Sequence, residues 1–219
     1  MITEYEMVEA PLLEDGALPR VEGEHPIPAF RHELHRRILS PLIYPLCSKR
    51  IQASVVQILR AIPIPSTAKP KIIDVSCGYD NLLTVIGEAY PRATLKGNDL
   101  NSNYFSMIKR NPDEALVIQY MNQDLFSLEF DAGEECDVVI CKNTLHHVPK
   151  CRHFELLEKL LSLGTHVLVI DIEHPFRSSY RAYLWNLYYR KFLKDGGMNF
   201  LTFQEFKGLL MKLRERVDG

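Results

Sequence analysis

The sequence predicts an α/β domain: a doubly wound, Rossmann-like parallel sheet of about five strands with helices on both faces. Three observations carry this. Short apolar runs recur between Lys71 and Ile172. These runs are apolar at successive positions, as expected of strands buried on both faces. Amphipathic or capped segments separate them, which is the pattern of parallel strands joined by crossover helices.

The elements follow in order. Residues 1–25 hold seven acids and one base, Arg20, for a net charge of −6. With little periodicity, they read as an acidic mobile tail. Residues 26–66 read as an N-terminal helical cover over the pocket. Leu34, Ile38 and Leu42 form one stripe; Val55, Val56, Ile58 and Leu59 form a second; Pro41 and Pro45 separate the two. The core spans 67–219. Its first strand is expected at Lys71–Cys77, followed by a helix over Asn81–Tyr90 that stops at Pro91. A second strand is expected at Thr94–Leu100, and Asn101 can cap a helix ending near Asn111-Pro112. The third and fourth strands are expected at Ala115–Tyr120 and Cys136–Cys141. Arg152–Leu163 reads as a helix with Phe154, Leu157 and Leu161 on one face and Gly164 as its stop. His166–Ile172 reads as the fifth strand. Residues 177–194 look helical, and Thr202 with Glu205 forms a capping box ahead of the stripe Phe206, Leu209, Leu210, Leu213. The 46 residues after Glu173 contain no further apolar strand run. Five parallel strands are therefore expected, with no sixth or seventh, and with an edge covered by the N-terminal segment, a partner or a second copy.

Composition narrows the classes of function. The net charge is −2 over 219 residues, which argues against a nucleic-acid binder. No apolar run reaches the ~20 residues that span a bilayer. The acidic N-terminus has no signal-peptide h-region, and five cysteines form an odd set, so a cytoplasmic protein with reduced thiols is expected. Cys136, Cys141, Cys151 and His153 fit no common zinc spacing; buried free thiols explain them better.

In doubly wound sheets ligands bind at the carboxyl ends of the strands, where the strand order reverses. The first strand ends in Asp74-Val75-Ser76-Cys77-Gly78-Tyr79-Asp80, where a glycine permits close backbone approach. Asp99 lies 21 residues after Gly78, the spacing of an acid that grips ribose hydroxyls. After the third strand, Asp124 can accept from an adenine amino group while Leu125 packs on the ring. Lys142-Asn143-Thr144-Leu145-His146-His147 follows the fourth strand, with Lys142 read as solvated. Asp171, Glu173 and His174 follow the fifth. Gly78-Tyr79-Asp80-Asn81-Leu82-Leu83 lacks the G-x-G-x-x-G of a nicotinamide-binding dehydrogenase.

The ordered set IIDVSCG, GNDL, QDLFSLEFDAGEECDVVICKNTLHHVP and VLVIDIE resembles the class I S-adenosylmethionine-dependent methyltransferases, particularly the small-molecule group. The resemblance covers about residues 71–175. It implies a cofactor, S-adenosyl-L-methionine, and S-adenosyl-L-homocysteine as product. It implies that Asp74, Ser76, Cys77 and Gly78 cradle the cofactor's methionine part, that Asp99 with Leu100 holds the ribose, and that Asp124 and Leu125 form the adenine site. Asn143 would face the methionine end. His146 and His147 match the family's LHH stretch and are candidate general bases, or else residues that pack and shape the pocket. Two glycines of the family's first loop are replaced by Ser76 and Asp80. Asp80 either meets the cofactor's cationic groups or weakens binding. The implied reaction is methyl transfer to a small-molecule acceptor; the alternative is a non-catalytic methyltransferase-like partner or regulatory subunit. The aromatic stretch Tyr180–Tyr189 reads as an amphipathic helix or as an acceptor wall.

Overall fold

A computed structural model describes residues 44–63, 69–107, 117–130, 135–173, 187, 197 and 199–218. The acidic tail, the first half of the N-terminal helical segment and the aromatic segment 177–194, save Leu187, lie outside the described residues.

Five strands form one parallel sheet: β1 (Lys71–Asp74), β2 (Thr94–Asn98), β3 (Ile118–Met121), β4 (Cys136–Lys142) and β5 (Gly164–Ile170), in the order β3-β2-β1-β4-β5. The doubly wound, five-strand expectation holds. The strands begin or end a few residues from the expected limits; the segments after Asp74 and Asn98 leave the sheet to form loops. An isolated parallel bridge, Glu173 with Leu201, extends the line of β5.

Strand alternation explains why both faces of the strands are apolar. Successive side chains point to opposite faces. Ile72, Val138 and Ile140 pack with α1 (Tyr44–Ala61) and α2 (Leu82–Ala89) through Val55, Leu59, Leu82 and Ile86. Ile73, Val139 and Cys141 face the other way, onto α4 (His153–Leu163) and α5 (Phe203–Asp218). The short helix α3 (Asn103–Met107) follows β2, and Asn101 Oδ1 accepts from Asn103 N at its start. The described half of the expected cover, α1, is thus a layer helix packed on the sheet's face beside α2.

Two local readings are corrected. The buried stripe of α4 is His153, Leu156, Leu157, Leu160 and Leu163, whereas Leu161 is exposed. His153 turns the helix this way: its Nε2–H donates to the carbonyls of Leu145 (2.9 Å) and Val148 (2.8 Å), and a buried ring needs such partners. Gly164 ends α4 and is also the first residue of β5. A Cβ there would lie 2.4 Å from the Cys136 carbonyl oxygen. Gly164→Ala is expected to lower stability by about 1–3 kcal/mol through overpacking; an unchanged midpoint in chemical unfolding would contradict that steric account.

The capping box forms as expected. Glu205 N donates to Thr202 Oγ1 (3.2 Å) and Thr202 N to Glu205 Oε2 (2.6 Å). Lys150 adds an ion pair to Glu205, which is held down to about 2 by these bonds against the cost of its partial burial. Among the described residues, no helix is long and apolar enough to cross a membrane.

Candidate functional site

The strand order reverses between β1 and β4: from β1 the chain proceeds to β2 on one side, and β4 lies on the other. The loops at the carboxyl ends of these strands therefore flank the switch point, where open α/β sheets bind ligands. Asp74 ends β1 and Ser76, Cys77 and Gly78 follow it; Asp99 and Leu100 follow β2, Asp124 and Leu125 follow β3 and Asn143 follows β4, all at the carboxyl ends of the strands.

A web of side chains fixes the loops to one another. Asn98, at the end of β2, is buried. Its amide donates to Val75 O (3.1 Å) and Gln123 O (3.0 Å), and its Oδ1 accepts from Gln123 N (3.0 Å). One residue thereby joins the loops after β1, β2 and β3. Next to it, Asp99 accepts from Gly78 N (2.8 Å) through Oδ2 and from Asn101 N (2.9 Å) through Oδ1. Gly78 adopts φ 56 with open space where a Cβ would project. This left-handed backbone is the reason for a glycine here, and it keeps the loop bare on that side. Asn122 donates to the carbonyls of Asp99 and Leu100. Leu100 itself is exposed. Asp124 is exposed and caps a 3-10 turn over Leu125–Ser127, accepting from Phe126 N (2.9 Å); Leu125 packs against the core. Asn143 holds the left-handed conformation (φ 54), which asparagine tolerates better than most residues, and donates its N–H to Ile170 O.

The two positions that depart from glycine both reach across the switch point. Ser76 Oγ hydrogen-bonds Thr144 Oγ1 and also approaches Lys142 O (3.3 Å). Asp80 pairs through Oδ2 with Lys142 Nζ, and its Oδ1 accepts from Leu82 N (2.8 Å) at the start of α2. Lys142 was expected to be solvated; it is buried instead, with side chains in the pair only 9% and 7% exposed. A lysine at the end of a fully buried strand, opposite an acid in a glycine position, was the signal for this pair. Asn98 and Thr144 were likewise not singled out, because each acts by holding another loop.

Electrostatics are unusual at this edge. Asp74 is fully buried. Its Oδ1 accepts from Ser76 N (3.2 Å), and its Oδ2 has no hydrogen-bond partner among the described residues. Burial raises its pKa to about 6, opposed by the Lys142 charge and the Ser76 bond. Burial also lowers the Lys142 pKa, and Asp74 opposes that shift. The Cys77 thiol is pushed far up by burial and neighbouring carboxylates, and that of Cys141 to about 12, chiefly by burial. Neither thiol is a nucleophile at neutral pH. Cys136 is also buried and Cys151 is exposed.

His146 and His147 divide in role. His146 is buried. Its Nδ1 lies 2.5 Å from Asp171 Oδ1, and its backbone N donates to Asp171 Oδ2 (3.2 Å). It stacks on Phe200, and a Cβ at Gly197 would fall 2.0 Å from its ring. The ring of His147 sits beside that of His146 and is part-exposed. A cavity of about 390 Å³ opens between the end of β5 and the start of α5, lined by Leu145, His146, Asp171, Leu201, Thr202 and Phe206 among others. None of the cofactor candidates lines it. The structure thus gathers the loop acids at the switch point and sets the His146–Asp171 pair on a separate, adjoining cavity.

Residues 72–166, which hold β1 to β4 and the switch point between them, match the family model of a methyltransferase domain. The chain carries a methyltransferase domain. Solved structures share this fold. The plantazolicin methyltransferase BpumL, in complex with SAH, superposes with a TM-score of 0.62 at 16% identity, over 88% of this chain and 72% of that one. Magnesium protoporphyrin IX methyltransferase (ChlM) from Synechocystis PCC 6803, with bound SAH, gives 0.54 at 21%, over 75% and 72%. Mycolic acid cyclopropane synthase CmaA1, complexed with SAH, gives 0.53 at 12%, over 74% and 59%.

Proposed function

We propose that this methyltransferase binds S-adenosyl-L-methionine at the β1–β4 switch point and transfers its methyl group to a small-molecule acceptor. The observation that carries the reading is the clustering of Asp74, Gly78, Asp99 and Asn143 on one rigid edge of a methyltransferase domain. The residues present suit such a cofactor. Asp74 holds a fully buried carboxylate oxygen without a partner among the described residues, and Gly78 leaves open space on its left-handed side. The cofactor supplies an electrophilic methyl on its sulfonium. Asp99, already fixed by two backbone N–H groups, is positioned to accept from ribose hydroxyls, since a carboxylate has about four acceptor sites. Asp124 and Leu125 take the adenine end, and Asp74, Ser76 and Cys77 the methionine end. Leu100 contributes exposed apolar surface beside Asp99.

The acceptor's place is the cavity beside β5. Its walls are mostly apolar, and the His146–Asp171 pair offers a proton acceptor for a hydroxyl or amine nucleophile, with Asp171 orienting the ring. His147, alongside, shapes the entrance. The three neighbours named above carry different acceptors in their names, so the fold leaves the acceptor's identity to this cavity. Ser76 and Asp80 favour an active protein over a non-catalytic partner: both lost glycines are replaced by side chains with defined partners across the site.

Isothermal titration of the full chain with S-adenosylhomocysteine is expected to give saturable one-to-one binding. No heat and no protection against thermal unfolding at millimolar ligand would overturn the reading.

A further inference from the structure

We propose that Lys142 and Asp80 are the recognition pair for an α-amino-acid end on the ligand. The Lys142 ammonium donates to the ligand's α-carboxylate, Asp80 accepts from its α-ammonium, and the two protein charges exchange each other for the ligand's. This rests on the cofactor reading above and names the residues that would select the amino-acid end.

Position is the first argument. Asp80 belongs to the loop after β1 and Lys142 ends β4, so their ion pair spans the crevice at the strand-order reversal. Burial is the second. Removing two charges from water costs several kcal/mol for each ion before their attraction is counted. A purely structural tie between these loops needs no charge, and the uncharged Ser76–Thr144 bond already provides one. Charge balance is the third. Asp74 and Asp80 flank one cation, Lys142, and the Asp74 Oδ2, without a hydrogen-bond partner among the described residues, is buried beside it. A ligand carrying a sulfonium, an ammonium and one carboxylate has net charge +1 and matches that acidic excess. With the zwitterionic end bound, every charge of the buried pair keeps an opposite neighbour, as a buried ion requires.

The test compares two ligands that differ in this end alone. S-adenosylhomocysteine carries it; 5′-methylthioadenosine has the same nucleoside thioether without it. Full-length wild type is expected to bind the first more tightly. Lys142→Met is expected to weaken S-adenosylhomocysteine about 10- to 100-fold, the range of a charge-assisted hydrogen bond, and to leave methylthioadenosine within about twofold. Asp80→Asn, whose amide oxygen can still accept from Leu82 N, is expected to narrow the same ratio about tenfold. If Lys142→Met does not fold, Asp80→Asn decides alone by that ratio. A ratio unchanged from wild type removes the pair's role and leaves the cofactor reading standing. Wild type that binds neither nucleoside removes both.

Discussion

Asp99→Ala is expected to weaken S-adenosylhomocysteine binding by about 100-fold or more, because two charge-assisted bonds to ribose at ~1.5–3 kcal/mol each are lost. The truncation acts twice. It removes the acceptor for the ribose hydroxyls and releases Gly78 N and Asn101 N, which the carboxylate now holds at 2.8 and 2.9 Å. Asp99→Asn separates the two contributions. Its amide oxygen can keep one backbone bond, so the loop stays closer to its native shape while the negative charge is gone. An affinity for Asp99→Asn between wild type and Asp99→Ala is expected by titration calorimetry. Wild-type affinity in a folded Asp99→Ala protein would sink the ribose assignment.

Asp74→Asn is expected to raise stability at pH 7 and to leave it nearly unchanged near pH 4. Asp74 has its pKa raised from 3.8 to about 6 by burial. Between these values the folded protein holds a proton that the unfolded chain has released. Stability therefore falls as pH rises through this window and levels off above about 6. The shift of about two units corresponds to roughly 3 kcal/mol. Asparagine does not titrate, and its carbonyl can still accept from Ser76 N. Urea unfolding of both proteins at pH 4.5, 5.5 and 7 would show wild type losing ground to the variant across the series. Parallel profiles would mean that Asp74 is not the group responsible.

Much of the fold could be read from local pattern, because β1 and β4 are apolar at successive positions and both faces are covered by helices. The loop acids were legible for a related reason. Asp99 and Asp74 stand at strand ends, and the spacing between strands sets where such ends fall. The ion pair was not legible. Lysine is rarely fully buried, so Lys142 read as solvated, and its partner Asp80 lies on a different strand's loop. That pairing exists only once β1 and β4 lie side by side. The buried face of α4 failed for a similar reason: Phe154, Leu157 and Leu161 make a plausible stripe, yet the face is set by His153, whose two carbonyl partners lie in the loop before the helix. The division between the switch-point acids and the His146–Asp171 cavity is also tertiary, since Asp171 reaches back 25 residues to its histidine.

Asn98 has a consequence for the kinetics of ligand capture. Its three hydrogen bonds hold three loops together before any ligand arrives. A nucleoside therefore meets a surface already close to its bound shape, and little chain entropy remains to be lost on association. Preorganisation of this kind favours rapid, single-step binding without a slow isomerisation. The crevice floor then behaves as a rigid mould, and adaptability toward different acceptors is left to the cavity beside β5.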